Sequence, residues 1–147
     1  MNKVRIEEAL AEVPLFEGTT KRHRKKVASL MEVVNFMKDH SIVRQGDEAD
    51  SFYVVLEGQA TVRVDDRVIA TKGPGDYFGE IALLDGGVRT ATVSSDTPMT
   101  MVMLARNEFE RALDEDPTLA RALLANLAGM FRNLDAALRQ AGGSIPS

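Results

Sequence analysis

Between Lys72 and Arg106 the chain carries one basic residue, Arg89, and nine positions before it stands Glu80. The stretch around them, Gly73 to Val93, reads G-P-G-D-Y-F-G-E-I-A-L-L-D-G-G-V-R-T-A-T-V and holds five of the chain's 11 glycines in its first 15 residues. An apolar run, Ile81 to Leu84, is fenced by glycines on both sides. Glycine lets a backbone turn sharply or approach a ligand closely. A short helix starting near Gly79 would aim free N–H groups at a neighbour, and such a helix start favours an anion. One guanidinium opposite those groups would complete a pocket for a single phosphate. The same two charged residues could instead form an internal ion pair tying loop to strand in a domain that has lost its ligand. That alternative leaves the tight glycine spacing unexplained.

Other chemistries are poorly provided for. Cysteine is absent, which excludes disulfides and thiolate metal sites. The two histidines, His23 and His40, stand alone in the sequence, too few for a roll that clusters several histidines around a metal. No Ser/His/Asp or Cys/His constellation is available, and a cyclic phosphodiesterase would need metal ligands that are not supplied. The expectation is a binding module and not an enzyme, with no metal and no cofactor.

The elements that must position Glu80 and Arg89 follow from periodicity. Val4 to Glu12 reads as a short helix ended before Pro14. Thr19 or Thr20 can cap a second helix running to about Val33, whose apolar face would be Val27, Leu30, Met31 and Val34. The pattern then changes to period two with β-branched and aromatic residues. Val33 to Phe36, Ser41 to Arg44, Ser51 to Glu57, Gln59 to Val64 and Arg67 to Thr71 read as strands. Turn chemistry separates them at Lys38-Asp39-His40, Gly46-Asp47, Glu57-Gly58 and Asp65-Asp66. After the glycine-rich stretch come Ala91 to Ser94 and Met99 to Leu104. Asn107 to Asp114 is helical. Pro117 opens a long final helix with Leu119, Leu123, Leu127, Met130, Leu134 and Leu138 on one stripe. The fold expected is α+β: an antiparallel, jelly-roll-like β-roll of about eight strands with flanking helices. It is read as one domain over 1–147. Helices occupy 1–33, the roll 34–105 with the site at 76–93, helices 106–140, and a loose tail 141–147.

Bulk numbers agree with one globular domain. The chain has 147 residues, 44% hydrophobic and 27% charged. No apolar run reaches the roughly 18 residues of a membrane span, and Met1 to Glu12 has no signal core. A cytoplasmic location is expected. The net charge of −4 argues against a dedicated nucleic-acid binder. One basic run, Lys21 to Lys26, is either a patch for nucleic acid or acidic lipid, or the solvated start of a helix; its shortness and lack of aromatics favour the latter.

From about Leu15 to Leu138 these residues resemble the cyclic nucleotide-binding domain family, found in catabolite activator proteins, regulatory subunits of cyclic-AMP-dependent protein kinase and cyclic-nucleotide-gated channels. Two segments carry the resemblance. Ile42-Val43-Arg44-Gln45-Gly46-Asp47 followed by Phe52 to Gly58 is similar to the family's turn and central strands. Phe78-Gly79-Glu80-Ile81-Ala82-Leu83-Leu84 followed by Arg89-Thr90-Ala91-Thr92-Val93 is similar to its phosphate-binding cassette. The resemblance implies that Arg89 pairs with the cyclic phosphate and that the Ala82 N–H holds a phosphate oxygen. It implies that Glu80 accepts the ribose 2′-hydroxyl, Gly79 admits the sugar, and Thr90 adds a hydroxyl. Ile81 and Ala91 complete the implied ligand-binding set. The ligand implied is cAMP, or cGMP. Val88 stands where many members have proline, which removes a restraint from the loop carrying Arg89; Asp85 could pair with Arg89 there.

In the family, the C-terminal helices close over the base. Asn107 to Leu138 would form that lid, with Phe131 and Arg132, beside Met130 and Asn133, as candidates for base contacts. A transcription factor of the catabolite-activator type would need a helix-turn-helix after Leu138, where about nine residues remain. A third reading is an interaction protein with a degenerate site that dimerises through the final helix. Expected partners are the nucleotide, an effector domain or protein, and a second copy through that helix.

Overall fold

The computed structural model describes residues 3–143. The chain begins with α1 (Lys3–Ala11), a 3-10 turn (Pro14–Phe16) and α2 (Lys21–Leu30). Eight strands follow: β1 (Glu32–Phe36), β2 (Ser41–Val43), β3 (Ser51–Glu57), β4 (Ala60–Val64), β5 (Arg67–Lys72), β6 (Tyr77–Phe78), β7 (Thr92–Ser95) and β8 (Met99–Ala105). A one-turn helix, α3 (Ala82–Asp85), sits between β6 and β7; α4 (Arg106–Glu115) and α5 (Pro117–Gln140) close the chain. The strands make two four-stranded sheets, in the orders β1-β8-β3-β6 and β2-β7-β4-β5, with every pair antiparallel. This is the α+β roll expected.

Alternation along β3 and β8 explains how the layers stack, because successive strand residues face opposite sides. Phe52, Val54 and Leu56 of β3, with Val102 and Leu104 of β8, face the helices and join Phe16, Phe109, Leu119 and Leu123. Tyr53 and Val55, with Met99 and Met101, face into the roll against Val62 and Val93. The Phe16 ring meets Phe52 and Phe109 at centroid distances of 6.1 and 6.2 Å, so the N-terminal turn, the roll and α4 share one core. The Asp65-Asp66 turn places both residues at positive φ, 50° and 64°, which suits a tight hairpin between β4 and β5.

Several boundaries differ from the sequence reading. Helix α2 stops at Leu30, capped at its start by Thr20. Met31 is already extended and Val34 lies in β1, so neither belongs to the helical face assigned to them. Val33 and Val34 favour a strand, and pairing with β8 takes them. The Leu15-Phe16 pair lies in a 3-10 turn, and β6 was not foreseen, since two residues show no period. Helix α3 begins at Ala82 and not near Gly79, because Gly79 has φ of 86°, outside a right-handed helix. The expected loose tail falls largely outside the described residues. Helix α5 continues about 36 Å, and its stripe is buried only at the start: Leu119 and Leu123 are covered, while Leu134 and Leu138 are exposed.

Candidate functional site

The loop from Gly86 to Arg89 is laid against the turn between β2 and β3. The Arg89 N–H donates to Asp47 O at 2.7 Å, Gly46 N–H to Arg89 O at 2.8 Å, and Ala49 N–H to Gly87 O at 2.8 Å. Three backbone bonds thus tie the loop down, with Val88 and not a proline before Arg89. Gly86 ends α3 at φ of 61°, a left-handed cap that turns the chain toward Arg89.

Arg89 is buried, with 8% exposure. Its Nη2 donates to Ser51 O at 2.8 Å and Ser51 Oγ at 3.1 Å, so the first residue of β3 orients the guanidinium. Burial lowers the Arg89 pKa, while Tyr53 and Asp50 act the other way. A guanidinium remains charged despite this. Gly79 lies against the other end of the fork: a Cβ there would stand 2.4 Å from Arg89 Nη1 and 2.8 Å from Ser51 O. Glycine is therefore required twice at this position, for its φ and for the space. Among the described residues Arg89 is in no ion pair. The internal Glu80–Arg89 pair considered above is not formed. Asp85 does not reach Arg89 either; its carboxylate accepts from the Gly87 N–H at 2.9 Å.

Gly79, Glu80, Ile81, Ala82, Arg89, Thr90 and Ala91 all line one cavity of about 570 Å³. That volume lies within the usual 300–1,000 Å³ of small-molecule sites. The Ala82 N–H, expected to face a phosphate oxygen, donates here to Gly79 O at 3.1 Å. The N–H groups of Glu80 and Ile81, the two residues before Ala82, meet no acceptor among the described residues. Ile81 projects from the turn, about half exposed, at the cavity wall.

Part of the cavity escaped sequence reasoning. Val43, Val62 and Val93 come from three strands of the second sheet, and Ile69 and Lys72 from β5. Lys72 holds its amino group 5.8 Å from the centre of the Tyr77 ring, whose hydroxyl pKa is raised by burial and then by Glu80 and Asp76. The alternation of β4 and β5 was a usable signal for Val62, but which face the strands turn inward is decided by packing. Phe78 both lines the cavity and stacks on Tyr53 at 5.0 Å. Phe131 and Arg132 do not line it; they are exposed on α5, Phe131 at 52%. Every cavity residue lies between Val43 and Val93.

Residues 33–116 match the family model described as the cyclic nucleotide-binding domain. The chain belongs to that family. This cyclic nucleotide-binding domain is 34% identical over 116 residues to the cAMP-dependent protein kinase regulatory subunit of Schizosaccharomyces pombe, covering 78% of the chain and 28% of the relative. It is 39% identical over 113 residues to the same subunit of Dictyostelium discoideum, covering 71% of the chain and 35% of the relative. The domain thus spans about a third of these curated relatives. Among solved structures, the N-terminal domain of a transcriptional regulator from Streptomyces coelicolor A3(2) superposes with a TM-score of 0.81 at 28% identity, over 88% of this chain and 96% of that one. The regulatory domain of Toxoplasma gondii PKA, crystallised with cAMP, gives 0.68 at 30% identity, over 75% and 44% of the two chains.

Proposed function

We propose that this domain is a regulatory module, not an enzyme, that binds cAMP, and cGMP less readily, in the cavity between Val43 and Val93. The observation that carries the reading is one buried cation, Arg89, set by Ser51 beneath Gly79 in the same cavity as Glu80. Arg89 supplies two-pronged recognition of a singly charged cyclic phosphate. Glu80 accepts the ribose 2′-hydroxyl, Gly79 leaves room for the sugar, and Thr90 adds a hydroxyl. The Glu80 and Ile81 N–H groups, with that of Ala82 if the Gly79 turn relaxes, are donors for phosphate oxygens. Valines from three strands give the base an apolar wall. Curated relatives that are regulatory subunits support the non-catalytic reading.

Binding is coupled to output through α5. Its solvent face presents Leu124, Phe131, Leu134 and Leu138. An apolar face of that kind suits a helix that docks on ligand binding, with Phe131 and Arg132 over the base. It equally suits a helix-to-helix dimer, or an effector that reads its position. A cytoplasmic setting goes with the reading; among the described residues no helix is long and apolar enough to cross a membrane.

Isothermal titration with cAMP and cGMP tests it. Saturable heat with cAMP, together with a raised melting temperature, is expected. No heat and no thermal shift at millimolar ligand would sink the reading. Light scattering with and without cAMP separates ligand-driven docking of α5 from constitutive dimerisation.

A further inference from the structure

The basic run on α2 has no place in the cavity. Lys21 and Lys25 are exposed, while Arg22, His23, Arg24 and Lys26 contact other elements. Arg24 Nη2 lies 3.7 Å from Glu7 Oε1 on α1. The others converge on the junction of α4 and α5. Lys26 Nζ lies 4.0 Å from Glu115 Oε2, and Arg22 Nη1 lies 3.7 Å from Asp116 Oδ2. Between them His23 is buried at 5% exposure, with Nε2 3.0 Å from Thr118 Oγ1 and 4.0 Å from Asp116 Oδ2.

The direction of this relay follows from proton counting. Thr118 has one hydroxyl proton, and it goes to Asp116 Oδ1 at 2.5 Å. With that proton committed, Thr118 Oγ1 accepts from His23 Nε2 at 3.0 Å and from Arg22 Nη2 at 3.3 Å, and the shorter contact favours the tautomer with its proton on Nε2 over one that would accept from Arg22 Nη2 at 3.4 Å. The other ring nitrogen, Nδ1, is buried without a partner. Asp116 also caps α5, accepting from the Thr118 N–H at 3.2 Å. The Thr118 hydroxyl holds its carboxyl below the usual carboxylate range. The flanking pairs of Arg22 and Lys26 reach into solvent and are weak; the hydrogen bonds from buried His23 through Thr118, itself exposed, to Asp116 carry the attachment.

We propose that His23, acting through Thr118 and Asp116, is a latch that holds the first turn of α5 against α2 and sets how readily α5 moves when a cyclic nucleotide binds. The proposal deepens the reading above and rests on it for the link to binding. His23 is a positioning residue, since it lies outside the cavity and its ring meets Thr118 and Asp116 at the hinge. A helix released from the latch opposes movement less, so the binding-competent arrangement becomes more populated and apparent affinity rises.

The test uses the full chain as wild type, His23→Leu, His23→Gln and Thr118→Val. Amide hydrogen exchange without cAMP follows Leu119 and Ala120, whose N–H groups bond to Asp116 O at 3.1 and 3.4 Å. Calorimetry follows cAMP. His23→Leu and Thr118→Val are expected to exchange about fivefold faster there and to bind cAMP about three- to tenfold more tightly. His23→Gln, which keeps a donor, stays near wild type in both. Thr118→Val decides the matter if His23→Leu does not fold. Unchanged exchange in the folded variants overturns the latch, and faster exchange with unchanged affinity overturns its control of binding. A wild type that took up no cAMP would defeat the functional reading, while faster exchange in the variants would still support the latch.

Discussion

Replacing Arg89 with alanine separates ligand recognition from folding. In the fold, the guanidinium contributes two contacts to Ser51, at 2.8 and 3.1 Å. It does so against the cost of burying a charge, which is why its pKa is lowered. The net loss in stability is about 1 kcal/mol, a fall in melting temperature of roughly 2–4 °C for a chain of this size. On the proposed reading, the same group supplies a two-pronged, charge-assisted contact to the phosphate. Each such bond is worth about 1.5–3 kcal/mol, so losing two removes roughly 3–6 kcal/mol and weakens binding by about a hundredfold or more. Arg89→Lys keeps the charge and loses the fork, and falls between, with roughly tenfold weaker binding. Calorimetric titration with cAMP measures the first quantity and a thermal melt the second. An Arg89→Ala protein that melts like wild type and binds cAMP with undiminished affinity would refute the role assigned to Arg89. Lost binding together with a collapsed melt would show the residue to be structural first.

Three further outcomes follow from the same geometry. Gly79→Ala places a methyl 2.4 Å from Arg89 Nη1 at a φ of 86°; it costs about 1–3 kcal/mol in urea unfolding and weakens cAMP binding by displacing Arg89, and an unperturbed variant would contradict the packing. Glu80→Gln removes a charged acceptor for the ribose hydroxyl and is expected to raise the cAMP Kd about tenfold while leaving binding of 2′-deoxy-cAMP almost unchanged; equal losses for both ligands would reject that pairing. The Asp116 pKa is lowered in the folded chain, so its contribution is present above the unfolded carboxylate pKa and is lost as pH falls through the folded value. Melting curves of wild type and Asp116→Asn should differ at neutral pH and converge in acid below about pH 4; a constant difference would show that the carboxylate charge is not involved.

Much of the architecture was legible because it is local. The aromatic and β-branched run within Ser51 to Glu57 specified β3, whose observed bounds coincide with the reading, and Asp65-Asp66 specified the β4–β5 hairpin. The cassette was legible too, since Gly79 to Ala82 and Arg89 to Ala91 are drawn from 13 consecutive positions and all reach one cavity. Val33 and Val34 show the limit: they fit a helical stripe as well as a strand, and only pairing with Met101 and Val102 of β8 chose.

By itself, then, the chain's own order of residues determined the roll, the glycine-enforced turn and the lone arginine between Lys72 and Arg106, because strand patterning and backbone conformation are set by near neighbours. Tertiary structure alone decided what Arg89 rests on, since Ser51 is 38 positions away. It decided that the basic run grips the hinge through Thr118, 95 positions from His23, and that Phe131 and Arg132 stand away from the cavity. Contacts at such separations leave no period in the sequence; they exist only where packing brings two surfaces together.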